Sequence, residues 1–210
     1  MIASDDFQVT QLDLLRHGQC EGGDIFRGST DVRLTPEGFA NMQASCDAMN
    51  TPWQAIISSP LKRCCEFATH LSQSLNLPLK TDLRLQEINY GEWEGVQRDL
   101  IWQTRHDEIL AWMHNPAENT PPGGETLQAV ATRLNALLSD ILRDYHKQNI
   151  LLVAHGGVIR IVLSELLGMP LDRAQSFEVP FASVTRIKIY DKAESRLVKL
   201  AAHNFIGDKA

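Results

Sequence analysis

The stretch Asn149-Ile150-Leu151-Leu152-Val153-Ala154-His155-Gly156-Gly157-Val158 reads as a strand that runs into a helix. Ile150 to Ala154 is a continuous apolar run of the length expected for a strand buried on both faces. From about Val158 to Leu167 apolar residues recur at helical spacing, and Gly168 and Pro170 stop the pattern. His155 then stands at the carboxyl end of the strand, the edge where open α/β sheets bind ligands. The helix amino terminus that follows offers free N–H groups to an anion, and glycine there permits close backbone approach. A second copy of this signature, Leu14-Leu15-Arg16-His17-Gly18, lies near the start of the chain. Strand capping explains either histidine alone. Both together, one with an arginine beside it, point to a shared site.

Outward from these strands the same alternation continues. Ala55 to Ile57 reads as a short buried strand, and after Pro60 a helix carries Leu61, Cys64, Ala68, Leu71 and Leu75 on one stripe. Cys64 is therefore expected in the core, where free cysteine behaves as a small hydrophobe. Phe39, Met42, Cys46 and Met49 mark a helix begun by Pro36, and Thr126 to Tyr145 forms a longer one along Leu127, Val130, Leu134, Leu138 and Ile141. Two alternating segments, Val184 to Tyr190 and Leu197 to Ala201, are joined by the polar turn 191–195 and must run antiparallel to each other. Phe177, Val179 and Phe181 alternate around Pro180, for which core packing is the simplest account.

This pattern predicts an α/β chain: a three-layer α/β/α sandwich, its central sheet mostly parallel with an antiparallel closing strand. A single domain is expected over residues 1–210. The looser stretch at about 84–125 holds Trp93, Trp102 and Trp112 and ends in Pro121-Pro122-Gly123-Gly124. It reads as a partly helical excursion forming a wall or lid over the active site.

Composition bounds the function. Of 210 residues 43% are hydrophobic and 22% charged, which excludes wholesale disorder. A formal charge of −6 disfavours nucleic-acid partners, which want a basic face. No signal peptide is visible at Met1–Asp6, and no apolar stretch approaches the roughly 18 residues of a membrane span. Cys20, Cys46, Cys64 and Cys65 form no C-x-x-C pair, so reduced thiols and a cytoplasmic location are expected, with no membrane partner.

Two further strand-end segments carry chemistry. Ser58-Ser59-Pro60-Leu61-Lys62-Arg63 places Arg63 at a helix start, able to point back over the sheet edge. Leu85 to Gly95 contains Glu87, Glu92 and Glu94.

In this order, Arg16-His17-Gly18, Ser59 to Arg63, Glu87 with Gly91-Glu92-Trp93-Glu94-Gly95, Pro122-Gly123-Gly124-Glu125 and His155-Gly156-Gly157 resemble the histidine phosphatase superfamily. That group includes the cofactor-dependent phosphoglycerate mutases, so the resemblance implies a phosphoglycerate-mutase-like fold. It implies that His17 is a nucleophile that becomes phosphorylated, its other ring nitrogen pinned by a backbone acceptor. Arg16 and Arg63 are implied to hold the phosphoryl oxygens, and His155 to stabilise the same charge from the opposite side. Glu87 is implied as proton donor and then acceptor, which wants a desolvating wall beside it; Trp93 is a candidate for that wall, although core packing is the simpler account of it. No metal and no cofactor are implied.

The sequence departs from the family pattern after Gly18. Cys20 stands where Ser or Thr is usual, the Glu21-Gly22-Gly23-Asp24 loop is shortened, and the usual Asn is missing. Arg27, or the backbone of Gly22 and Gly23, is expected to complete the pocket, so Cys20, Gly23, Arg27, Gly28 and Gly156 form a candidate substrate-binding set. Two nearby arginines predict a lowered Cys20 pKa and sensitivity to oxidation.

Softer markers resemble the α-ribazole phosphatases: the shortened loop, Gly28-Ser29-Thr30-Asp31, Pro52-Trp53-Gln54, Arg63-Cys64, and Asn149 to Val153. They imply hydrolysis of α-ribazole 5′-phosphate in cobalamin biosynthesis. The alternatives are a broad-specificity sugar-phosphate or nucleotide phosphatase, then a phosphoglycerate mutase, and an inactive relative that binds a phosphorylated ligand. All make the partner a small phosphorylated metabolite.

Overall fold

The computed structural model describes residues 8–192 and 195–207. The stretch Met1–Asp6 and part of the expected 191–195 turn lie outside the described residues. Six strands form one sheet: β1 (Gln8–Arg16), β2 (Ala55–Ser58), β3 (Leu79–Thr81), β4 (Asn149–Ala154), β5 (Val184–Lys192) and β6 (Ser195–Phe205). Their spatial order is β3-β2-β4-β1-β5-β6. The first four are mutually parallel; β5 runs antiparallel to β1, and β6 antiparallel to β5. This is the expected mostly parallel sheet with an antiparallel strand closing the series.

Strand alternation divides the core in two. Leu12, Leu14, Ile57, Ile150, Leu152 and Ile187 face α5 (Leu127–Asp144) and α6 (Gly156–Leu167). Leu15, Ile56, Leu151, Val153 and Val184 face α1 (Pro36–Met49) and α2 (Lys62–Leu75). Thr35 caps α1, its hydroxyl accepting from Gly38 N at 3.0 Å, and Thr126 caps α5 by accepting from Ala129 N at 3.2 Å. Each cap satisfies an amide that helix geometry leaves without a partner.

One strand goes unread in the sequence, and two expectations are corrected. β3 is a strand the apolar pattern does not announce, because Leu79-Lys80-Thr81 is a short, half-exposed edge. α2 buries Phe67 and leaves Leu75 47% exposed, so its stripe ends a turn earlier than read. α6 begins at Gly156, not Val158, which places both glycines in its first turn.

Between β3 and α5 the chain leaves the sheet. It makes single turns at Leu83–Leu85 and Gly91–Trp93, then two short helices, α3 (Arg98–Thr104) and α4 (His106–His114). Among the described residues no helix is long and apolar enough to cross a membrane.

Candidate active site

Sheet register assembles the site. β1 and β4 are parallel neighbours with Arg16 opposite Ala154, so His17 and His155 leave the same edge side by side. His17 N donates to Ala154 O at 3.0 Å, and the two rings stand 5.3 Å apart, centroid to centroid. β2 ends level with them, with Ser58 opposite Val153, which delivers Ser59 and then Arg63 from α2.

His17 is buried, with Nδ1 2.8 Å from the carbonyl oxygen of Gly18. A carbonyl only accepts, so Nδ1 carries the proton and Nε2 keeps its lone pair. Burial, then the charges of Arg63 and Arg16, push the imidazole well below its ordinary value, against the opposing pull of that Gly18 bond. The ring is an unprotonated base at neutral pH.

Arg63 is completely buried, and each of its three guanidinium nitrogens donates to the protein. Nε donates to His155 Nδ1 at 3.1 Å, Nη1 to Thr30 O at 2.9 Å and Nη2 to Gly28 O at 2.7 Å. The same 28–30 segment turns its amides the other way. Gly28 N, Ser29 N and Thr30 N donate to Glu94, as do Tyr90 N and the Thr30 hydroxyl. Burial works against the Glu94 charge, but the Thr30 hydroxyl and these amides outweigh it and hold the carboxylate below its usual range.

His155 accepts from Arg63 at Nδ1, so Nε2 carries the proton and donates to Ser59 Oγ at 2.7 Å. Burial, then Arg63, push this ring well below its ordinary value too. Cys64 packs under it, buried as expected, its thiol pushed up by the same burial.

Arg16 donates from Nη1 to Val179 O at 2.5 Å and lies 3.9 Å from the Phe181 ring centroid. Its Nε is buried with no partner among the described residues. Burial draws this arginine down to about 10, against the opposing attraction of Glu87.

Glu87 sits on the amino terminus of α6. Oε2 accepts from Gly157 N and Oε1 from Val158 N, each at 3.1 Å. A Cβ on Gly157 would lie 2.7 Å from Oε1, and one on Gly156 3.2 Å from Arg16 Nε, so both side chains need bare backbone there.

Of these groups Arg16, His17 and Glu87 line one small cleft of about 60 Å³, with Arg27, Tyr90, Gly156 and Phe181, whereas Arg63 and His155 are not among the residues that bound it. Trp93 is not part of it: its ring is fully buried, 5.0 Å from Phe26 and 5.9 Å from Trp112, and Tyr90 takes the place beside the cleft. Val179 is buried as core packing requires, whereas Phe181 is 39% exposed over Arg16 and His17.

Of the candidate binding set, Arg27 and Gly156 reach the cleft. Arg27 grips the shortened loop, Nη2 donating to Glu21 O at 2.8 Å and Gly23 O at 2.7 Å, while its buried Nε has no partner among the described residues. Gly23 therefore turns its carbonyl to Arg27, and Gly28 holds Arg63 rather than the cleft. Cys20 lies 3.4 Å from His17 Nδ1, on the side of the ring away from its lone pair. Its pKa is raised, not lowered: burial outweighs the charges of Arg27, Arg63 and Arg16.

Two residues escape the sequence reading. Arg98 and Arg160 line the cleft and also an adjoining hollow of about 500 Å³ with Phe26, Trp102, Trp112 and Met113. Arg160 lies four residues after Gly156 on α6, one helical turn along the same face, and that spacing was a usable signal. Among the described residues no group of three His, Cys, Asp or Glu side chains is placed to hold a metal ion.

An α/β sheet with two edge histidines, buried arginines and a helix-capped carboxylate defines a class of phosphoryl-handling enzyme. The match to the model of the histidine phosphatase superfamily (branch 1) spans residues 12–202, and the chain belongs to that family. It is a phosphatase acting on phosphate monoesters.

The chain is 32% identical over 195 residues to "Putative phosphoserine phosphatase 2" of Hydrogenobacter thermophilus, covering 91% of this chain and 95% of that relative. It is 26% identical over 182 residues to the adenosylcobalamin/alpha-ribazole phosphatase of Escherichia coli, covering 85% and 90%. The native structure of a mycobacterial glucosyl-3-phosphoglycerate phosphatase superposes with a TM-score of 0.84 at 26% identity, covering 94% of this chain and 99% of that one.

Proposed function

We propose that this phosphatase works through a phosphohistidine at His17 on a small phosphorylated metabolite. The observation that carries this is the Gly18 carbonyl on Nδ1, which leaves the Nε2 lone pair free in a cleft rich in arginine. In the first step Nε2 attacks phosphorus, the ester P–O bond breaks, and Glu87 gives its proton to the leaving oxygen. In the second, water attacks phosphorus, Glu87 takes back a proton, and the P–N bond breaks to release phosphate.

Arg16, through its unpartnered Nε, and Arg27 hold the nonbridging oxygens, and Arg27 replaces the hydroxyl and amide that the shortened loop lacks. Arg63 acts at one remove, by orienting His155 and the 28–30 segment. His155 supports the transferring group by exchanging its Ser59 bond for a phosphoryl oxygen. The 84–125 excursion forms the wall of the leaving-group site.

Two leaving groups fit the hollow. α-Ribazole 5′-phosphate is supported by the sequence markers, by the E. coli relative and by the Trp102 and Trp112 surfaces, which suit a flat ring. A phosphorylated acid is supported by Arg98 and Arg160, and by the phosphoserine and phosphoglycerate names among the similar proteins.

The mechanism is tested by acid quench during turnover. An acid-labile, base-stable phosphoenzyme is expected in the native protein and absent from His17→Ala. Full activity in His17→Ala would end the proposal.

A further inference from the structure

Arg160 stands where cleft and hollow meet, and its environment is unlike that of the other arginines. Each guanidinium nitrogen of Arg63 donates to a main-chain oxygen or to His155, and Arg98 pairs with Asp24 at 3.1 Å. Arg160 makes one bond, Nε to the carbonyl oxygen of Phe177 at 2.8 Å, and has no carboxylate partner among the described residues. That bond occupies Nε and leaves the two terminal nitrogens without a hydrogen bond or ion pair among the described residues. Both the 60 Å³ cleft and the 500 Å³ hollow are lined by it.

A half-buried and unpaired guanidinium is a bidentate receptor for a planar or tetrahedral anion. Glu87 forms no ion pair with it, its two oxygens accepting instead from the α6 amides. The phosphoryl group itself is claimed by Arg16, Arg27 and His17. What remains for Arg160 is a charge on the leaving group.

We infer that Arg160 is a specificity-determining residue that reads a second anionic group on the leaving-group side of the substrate, a carboxylate set a few bonds from the phosphate ester. This deepens the monoesterase reading and rests on it, and it favours a phosphorylated acid over α-ribazole 5′-phosphate. The apolar remainder of the hollow then accepts whatever the acid carries beyond its carboxylate.

The test is a pair of probes that differ at one carbon: 3-phosphoglycerate, with a carboxylate, and glycerol 3-phosphate, with a hydroxymethyl group in its place. Native protein is expected to favour 3-phosphoglycerate by about tenfold or more in kcat/KM, the scale of a charge-assisted hydrogen bond. Arg160→Met should collapse that ratio toward one, and Arg160→Lys should restore part of it. The ratio cancels any loss of folded protein, so impaired folding of a variant does not mask the outcome. Equal kcat/KM for both probes in native protein, or a ratio unchanged in Arg160→Met, overturns the inference. p-Nitrophenyl phosphate separates the two levels. Its hydrolysis with no preference between the probes removes Arg160 alone, whereas no hydrolysis and no phosphoenzyme removes the monoesterase reading as well.

Discussion

The cleft at His17 measures about 60 Å³ and the hollow beyond it about 500 Å³, and the two meet at Arg98 and Arg160. The cleft is made from strand ends and the first turn of α6, and main-chain groups hold the side chains of Arg16, His17, Arg27 and Glu87 in place. The hollow is made mostly from α3 and α4, outside the sheet, with aromatic surfaces and few fixed bonds. Rigid backbone positions the groups that change bonding, where small displacements are costly. Side chains on an excursion shape the space that selects a leaving group, where substitution is tolerated. The cleft should therefore govern kcat for every substrate, and the hollow should govern KM for particular ones.

The largest expected effect tests the cleft. Glu87→Gln keeps the shape but cannot deliver a proton, so kcat on alkyl phosphates should fall by about 10²–10⁴-fold. On p-nitrophenyl phosphate, whose leaving group needs no proton, the fall should be much smaller. Equal falls on both would assign Glu87 to holding α6 instead.

Next in size is Arg27→Ala, expected to lower kcat/KM by about 10–100-fold for all monoesters alike, the worth of a hydrogen bond to a charged group. Arg27→Lys should recover part. A loss confined to some leaving groups would move Arg27 from the cleft to the hollow.

The third concerns stability. His17 and His155 are held neutral in the fold, well below the ordinary value, chiefly by burial. Below about pH 6.5 the unfolded chain binds protons at these positions that the folded chain does not, so stability falls as pH falls. Each histidine steepens the loss by up to about 1.4 kcal/mol per pH unit. Urea midpoints at pH 7 and pH 5 measure it, and His155→Gln should flatten the slope. A midpoint independent of pH over that range would show that the cleft does not enforce neutrality.

The smallest effect belongs to the hollow. Trp102 is 43% exposed, so Trp102→Ala should cost little stability. KM should rise about two- to tenfold for ring-bearing leaving groups, the scale of one aromatic contact, with kcat moved far less. A fall mainly in kcat would break the division between the two regions.

The sheet was legible because buried strands advertise themselves as apolar runs, and the edge position of His17 and His155 follows from where those runs stop. Leu79–Thr81 was not, since an edge strand needs no apolar face. Arg16, His17, Glu87 and Gly156 were legible as motif residues that the fold brings into one cleft. Arg98 was hidden because the excursion has no periodicity from which to place a side chain. Cys20 misled for a simpler reason: sequence shows neighbouring charge but not burial, and burial wins there. The charge of −6 likewise says nothing of a cleft bordered by Arg16, Arg27, Arg98 and Arg160.

The peptide groups of residues 28–30 lie between Arg63 on their carbonyl side and Glu94 on their amide side. That sandwich separates the segment after His17 into two halves with different freedoms. Beyond Gly28 the path is nailed at both poles of the peptide. Before it, through Gly22 and Gly23 at positive φ, the chain is held at intervals: Arg27 donates to Glu21 O and Gly23 O, Glu21 N donates to Arg33 O, and Arg98 N donates to Asp24 O. Between the ties at Glu21 and Asp24, length can therefore change around Gly22 and Gly23 while Thr30 and Arg63 stay where they are. The shortened loop is an edit made on the side of the clamp where the fold permits editing.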